Sequence, residues 1–306
     1  MQSTEPRTYL TSKGFAAVIA GAATIGTAAI FMRLSEVTPT ATAFWRMTLS
    51  LPLLALWVYF ARSKLPRHIA ENRAQSTGGT DSWAVARDLF FVGFWFAADL
   101  ALWHWSVAMT TVANATLLAN MAAIFTAIAG WLFLKEKMNR NLLIALLLAV
   151  AGAFALVGQN LEFNPDYVTG DLLGLATSVA YAGYILSGSR ARRRSPTAVV
   201  MTGSGLVTAL LLLPLALMSE GPFLPASLTG WAPLIGLAWG AHILGQSLIM
   251  YGLAHVPPTA GSISLLVQPV VSAILAWALF GEALGPLHAL GAALIFAGIL
   301  FAKKSA

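Results

Sequence analysis

The chain has 306 residues, 58% of them hydrophobic and only 10% charged, with a mean hydropathy of +0.75. Soluble domains carry about 25% charged residues, so there are too few here to cover a water-facing surface, and no stretch is long enough for an independent soluble domain. The net charge of +6 does not point to nucleic acid, because the basic residues fall in short clusters between apolar runs and not along one face with stacking aromatics; the absence of cysteine excludes disulfides, thiolate metal sites and cysteine nucleophiles.

A membrane span needs about 20 mostly apolar residues, and the apolar runs supply ten. They are predicted at Gly14 to Met32, Ala41 to Ala61, Leu89 to Val107, Asn114 to Leu134 and Leu142 to Val157, and then at Leu172 to Ser189, Ala198 to Met218, Trp231 to Leu253, Thr259 to Phe280 and Leu287 to Phe301. The first run follows Arg7 and Lys13 but lacks a small-x-small cleavage site, and at 19 residues it is long for a signal-peptide core; it reads as a retained helix. Many spans are rich in glycine and alanine, which lets backbones approach closely where lipid supplies no hydrophobic drive for association.

Alternating sides across ten spans from a cytoplasmic N-terminus sorts the charges. One side collects Arg7 and Lys13; Arg62, Lys64, Arg67, Arg73 and Arg87; Lys135, Lys137 and Arg140; Arg190, Arg192, Arg193 and Arg194; and Lys303 with Lys304, sixteen of the 18 basic residues. Arg33 falls on the other side, with Glu36, Glu162, Asp166, Asp171, Glu220 and Glu282, and Arg46 lies within the second span. The positive-inside rule places the basic side, and with it both termini, in the cytoplasm of a plasma (inner) membrane.

Sliding the chain over itself by 146 residues superposes Ala127, Ile128, Trp131, Glu136, Leu148, Ala151 and Gly152 on Ala273, Ile274, Trp277, Glu282, Leu294, Ala297 and Gly298. The shared element is a span, a tight turn carrying a glutamate, and a second span ending in Ala-Gly. Repeats over 1–159 and 160–306 would hold five helices each, and an odd number inverts the second copy in the bilayer. Inverted copies can exchange conformations around a midplane site, which is the pattern of secondary transporters; an enzyme, a channel or a receptor has little need of it.

The run from Ser106 through Leu134-Lys135-Glu136 to Ala151-Gly152, with its copy from Gly252 to Gly298, resembles the EamA-type repeat of the drug/metabolite transporter superfamily. Pro39 followed by Phe44, Trp45 and Arg46 resembles that family's proline–arginine start to its second helix. The resemblance implies an all-α, basket-shaped exporter of ten helices that looks most like the YddG-type amino acid exporter branch, with a cavity lined by spans one, three, four, six, eight and nine. The family's midspan proline is present as Pro269 in span nine but is Ala123 in span four, so any hinge should be weaker in span four.

Polar groups inside spans are costly and usually face a bundle interior. The substrate-site candidates are Asp99, Trp103 and His104 in span three, Asn120 in span four, Tyr181 and Tyr184 in span six, His242 and Gln246 in span eight, and Gln268 in span nine. Trp95, Asp99, Trp103 and Ser106 share one face, and a carboxylate between aromatic faces suits an ammonium group. Arg46, Glu136, Glu282 and Pro269 are candidates for structural or gating roles. Quieter readings stand beside these. Arg46 and Asp99 could form a structural ion pair, Trp95 could be a lipid-facing or packing aromatic, and His242 could be a satisfied interhelical donor. The glutamates could cap or orient the following helices, and the Arg190–Arg194 cluster could anchor topology or hold a lipid headgroup.

The expected partners are the lipid bilayer and a small substrate, an amino acid or related metabolite, handled by a functional monomer without nucleic acid or ATP. Lipophilic or quaternary cations are the alternative cargo. No pair of catalytic acids, His-Glu-x-x-His or Gly-x-Ser-x-Gly motif supports an intramembrane enzyme, and no phosphate-binding loop, cofactor site or metal site is expected.

Overall fold

The computed structural model describes residues 5–63, 79–158, 161, 163–281 and 283–305. Within lipid each backbone N–H and C=O must be satisfied inside its own segment, so apolar runs of this length become helices. They are α1 Ser12–Arg33, α2 Pro39–Ala61, α4 Asn114–Leu134, α5 Arg140–Val157, α6 Pro165–Arg192, α7 Thr197–Met218, α8 Trp231–Gly252, α9 Pro258–Phe280 and α10 Pro286–Ser305. Between α2 and α4 lies α3, Gly79–Met109, the longest at 31 residues. A helix stands at each of the ten expected spans, nine of them long and apolar enough to cross a membrane among the described residues, and local signals mark several of the bounds. Proline leads α2, α9 and α10, positions where its missing N–H costs nothing. The Asn139 side chain accepts from Leu142 N at 2.9 Å to start α5.

The repeat is visible in the packing. α3 lies along α6 and α8 along α1, which is the same pair with the halves exchanged. α2 lies along α7 and α5 along α10, each pair containing both copies of one helix. At the α5–α10 crossing a Cβ on Gly152 would stand 2.6 Å from Gly291 O, and one on Gly298 would stand 2.8 Å from Ala145 O. Adding 146 to Gly152 and subtracting it from Gly291 yields the second pair, Gly298 and Ala145, so a two-fold relation passes through this contact. The glutamate turns agree. Lys135 and Gly281, again 146 apart, both close their helices in the left-handed region, with φ of 55° and 70°. Glycine takes that conformation freely, whereas a lysine there is held by the N–H bond from Glu136 to Gly130 O.

Glu136 corrects the capping expectation. Asn139 caps α5, while Glu136 reaches across to α9 and accepts from Thr259 Oγ1 at 2.5 Å. It ties the end of α4 to the start of α9 at the basic end of the bundle. Glu282, its repeat partner, lies outside the described residues, as do Lys64, Arg67, Arg73 and Glu162.

The hinge expectation is corrected too. α4 breaks at Met121 and α9 at Leu266, with φ, ψ of −67°, −4° and −65°, −3°. Each break is a tightened turn, Met121 N to Leu118 O and Leu266 N to Ile263 O. Pro269 removes the N–H that would serve Leu265 O, but α4 makes the same break without a proline.

At the acidic end, the segment between α7 and α8 folds over the α1–α2 corner. Glu36 accepts from Ala226 N at 3.0 Å, Ser227 N at 3.1 Å and Ser227 Oγ at 2.7 Å. Trp45 Nε1 donates to Phe223 O at 2.8 Å, and its ring meets Trp231 edge-on with centroids 5.1 Å apart. The Ser227 hydroxyl, joined by the two backbone N–H groups, holds the Glu36 carboxyl below its usual range. Its folded value is therefore depressed, so its contribution is complete above the ordinary glutamate range and fades as pH falls through the lower, folded value. Glu36→Gln should abolish that acid-side dependence, which amide hydrogen exchange of the 219–230 segment at graded pH would report; an unchanged profile would assign the docking to Trp45 instead.

Candidate functional site

Five helices bring the sequence candidates to one place. Tyr184, 1% exposed, accepts a 2.7 Å bond from Gln246 Nε2, joining α6 to α8. Tyr181 stacks on Tyr184 with centroids 5.8 Å apart and interacts with the side chains of Gln268 and Gln246, which brings in α9. Phe96 from α3 is sandwiched, stacked on Tyr184 at 4.6 Å and on His242 at 5.8 Å. Over Phe96 lies the Arg46 guanidinium from α2, 5.9 Å from the ring centroid.

The charges in this cluster are not paired with one another. Arg46 acts electrostatically on Asp99, Tyr181 and Tyr184, yet no ion pair within 4.0 Å joins Arg46 to Asp99 among the described residues. Arg46 is 8% exposed and its Nε has no hydrogen-bond partner there. Asp99, one turn beyond Phe96 on α3, is half-buried. The structural ion pair offered by the sequence is therefore absent among the described residues, and an arginine and an aspartate stand unpaired in one cluster.

His242 is likewise not a satisfied donor. It is 2% exposed, and neither ring nitrogen has a partner among the described residues. It lies within Gly236–Gln246, an 11-residue stretch of π-helix. A wider turn aims side chains that an α-helix would place elsewhere, and such stretches are frequent at functional sites. His104 is also buried; its Nδ1 is spent on Leu100 O of its own helix, while Nε2 is unpartnered.

The remaining candidates divide. Trp103 meets the His104 ring edge-on at 5.2 Å and is half-buried beside the cluster. Asn120 ends the first half of α4 at its break, half-buried and outside the hydrogen-bonded group. Two members of the α3 stripe leave it. Ser106 donates to Gly170 O of α6 at 2.8 Å, and the Trp95 ring covers Gly183, where a Cβ would meet it at 2.5 Å. Trp95 packs, in agreement with its quieter reading. Phe96, which the sequence inventory passed over, is the ring at the centre of the cluster; its one signal was its position one helical turn before Asp99.

The sequence pattern of the EamA-like transporter family matches residues 12–158 and again 168–303. The chain belongs to that family. It is a multi-pass membrane transporter and not an enzyme. The family's two matches coincide with the two five-helix halves. A transporter of unassigned substrate from Archaeoglobus fulgidus is 25% identical over 87% of this chain and 88% of its own. A probable amino-acid metabolite efflux pump of Salmonella typhimurium is 30% identical over 60% of this chain and 65% of its own. The threonine/homoserine exporter RhtA of Escherichia coli is 30% identical over 49% of this chain and 50% of its own. A solved crystal structure superposes on 98% of this chain and 97% of that one with a TM-score of 0.75 at 20% identity, which shows the shared fold.

Proposed function

We propose that this transporter exports amino acids or closely related small amphipathic metabolites by alternating access, with its halves, 1–159 and 160–306, rocking about the α5–α10 crossing. The observation that supports this reading is Arg46 and Asp99 standing without an ion pair in one aromatic cluster. A zwitterion presents both opposite charges at once. Its ammonium would meet Asp99 and the rings of Trp103, Tyr181 and Phe96, and its carboxylate would meet Arg46, with His104, His242, Tyr184, Gln246 and Gln268 as neutral partners. Asn120 would enter when α4 bends at its break. Charge-assisted hydrogen bonds of this kind contribute about 1.5–3 kcal/mol each.

The Salmonella pump and RhtA favour the same cargo class, as does the resemblance to the YddG-type branch. Quaternary cations need the acid and the rings but gain nothing from Arg46, whose charge opposes them. The basic end would face the cytoplasm of the plasma membrane, with both termini on that side. In the state described here, Glu136 and Thr259 close α4 on α9 at that end.

Purified protein in liposomes, tested with threonine, phenylalanine, their decarboxylated amines and a tetraalkylammonium dye, separates the readings. Flux of the amino acids with little of the amines supports the zwitterion pocket. Flux of the amines and dye alone overturns it.

A further inference from the structure

A second cluster of charge lies at the basic end, away from the candidate site. Asp88 of α3 is 5% exposed and receives three guanidinium groups: Arg190 Nε at 3.3 Å, Arg194 Nη1 at 3.4 Å and Arg87 Nη2 at 3.7 Å. One carboxylate offsets one of the three charges, so two positive charges are left over. The arginine side chains are 45–57% exposed, so the three guanidinium groups gathered on Asp88 stay accessible. Arg192 is not part of this group, since it turns inward to Met250 O at 3.1 Å.

Beside these arginines a cleft of about 320 Å³ runs down the α3–α6 seam, lined by Arg87, Asp88, Phe91, Trp95, Ser187 and Arg190. Its charged groups are all at one end. Below them a ladder of rings follows the outer face of α3: Phe90 stacks on Phe94 at 6.2 Å, and Phe94 meets Trp95 edge-on at 5.4 Å. Phe90, Phe91 and Phe94 are 40–47% exposed, on a surface that must face acyl chains in a bilayer. Trp95 seals the inner wall against Gly183.

We propose that this cleft holds one anionic phospholipid, its phosphodiester on Arg87 and Arg190 and an acyl chain along Phe91, Phe94 and Trp95. Planar guanidinium forks match phosphate oxygens in pairs, and two excess charges at a membrane interface select an anionic headgroup over a zwitterionic one. The rings explain why a lipid fits better than free phosphate, which would gain nothing from them. The cleft also explains the conjunction of a buried carboxylate with exposed arginines: Asp88 holds the guanidinium groups at a fixed spacing without neutralising them.

The test is native mass spectrometry of the full-length protein in detergent, titrated with dioleoyl phosphatidylglycerol or dioleoyl phosphatidylcholine. One tight phosphatidylglycerol adduct is expected, with no comparable phosphatidylcholine adduct. The double variant Arg87→Gln, Arg190→Gln should weaken it roughly thirtyfold, taking about 1 kcal/mol per arginine at the surface. Arg193→Gln, on the same helix end but outside the cleft, should leave it unchanged. Should the double variant fail to fold, Arg190→Lys keeps the charge, loses the fork and should weaken binding severalfold. Undiminished phosphatidylglycerol binding in the folded double variant or in Arg190→Lys overturns the proposal. Equal binding of phosphatidylcholine does so as well, and so does displacement of the lipid by inorganic phosphate at matched concentration.

Discussion

Asp99→Asn should lower amino acid flux in liposomes roughly ten- to hundredfold while leaving expression and the monodispersity of the purified protein unchanged. The substitution keeps the shape of the side chain and removes only its charge. Asp99 forms no ion pair within 4.0 Å among the described residues, so no structural partner is stranded. What is lost is the counter-charge for a substrate ammonium, worth about 1.5–3 kcal/mol for a charge-assisted bond, and each 1.4 kcal/mol is tenfold. Arg46 would then stand as the sole formal charge among the clustered residues, and its field would repel the ammonium further. The loss should therefore be steepest for substrates with a free amine and slight for those that carry only a carboxylate. Normal flux in Asp99→Asn would remove Asp99 from the site, and a collapse in expression would assign it to folding.

The α5–α10 crossing carries the other large expected effect. Gly152→Leu or Gly291→Leu should prevent accumulation of folded protein, because each new Cβ would stand 2.6–2.7 Å from a carbonyl oxygen of the facing backbone. A backbone cannot rotate away as a side chain can, so the helices must separate. The cost should reach or exceed the roughly 1–3 kcal/mol of ordinary overpacking. The two glycines face each other's carbonyl oxygens across one contact, so the two substitutions should behave alike. Gly240→Ala supplies the contrast. A Cβ there meets nothing within 4 Å, and alanine is favoured over glycine within a helix by about 1 kcal/mol. Thermal unfolding of that variant should be unchanged or raised. Tolerance of leucine at both 152 and 291 would show that the halves are not hinged at this contact.

The ten spans, the inverted repeat and most members of the candidate site are determined by the sequence itself. Lipid offers the backbone no hydrogen bonds, so a run such as Asn114–Leu134 has helix as its single solution, and its bounds coincide with those expected. Charged and amide groups are costly in that setting. For this reason Arg46, Asp99, Tyr181, Tyr184, His242, Gln246 and Gln268 could be picked out from composition alone, and they do converge.

Tertiary structure decided what their neighbours are. The stripe from Trp95 to Ser106 extends along roughly 16 Å of α3 at 1.5 Å per residue, and α6 crosses that face. One helical face therefore meets Gly183 at one depth, the cluster at another and Gly170 at a third. The same holds for Glu136, whose place after a helix suggests a cap but whose carboxylate is nearer Thr259, 123 residues away. The break in α4 at Met121 has no proline to announce it, and the π-helix around His242 has no local signature. Helix periodicity fixes which residues share a face, while the crossing of helices fixes what that face touches, and these contacts join residues far apart in the chain.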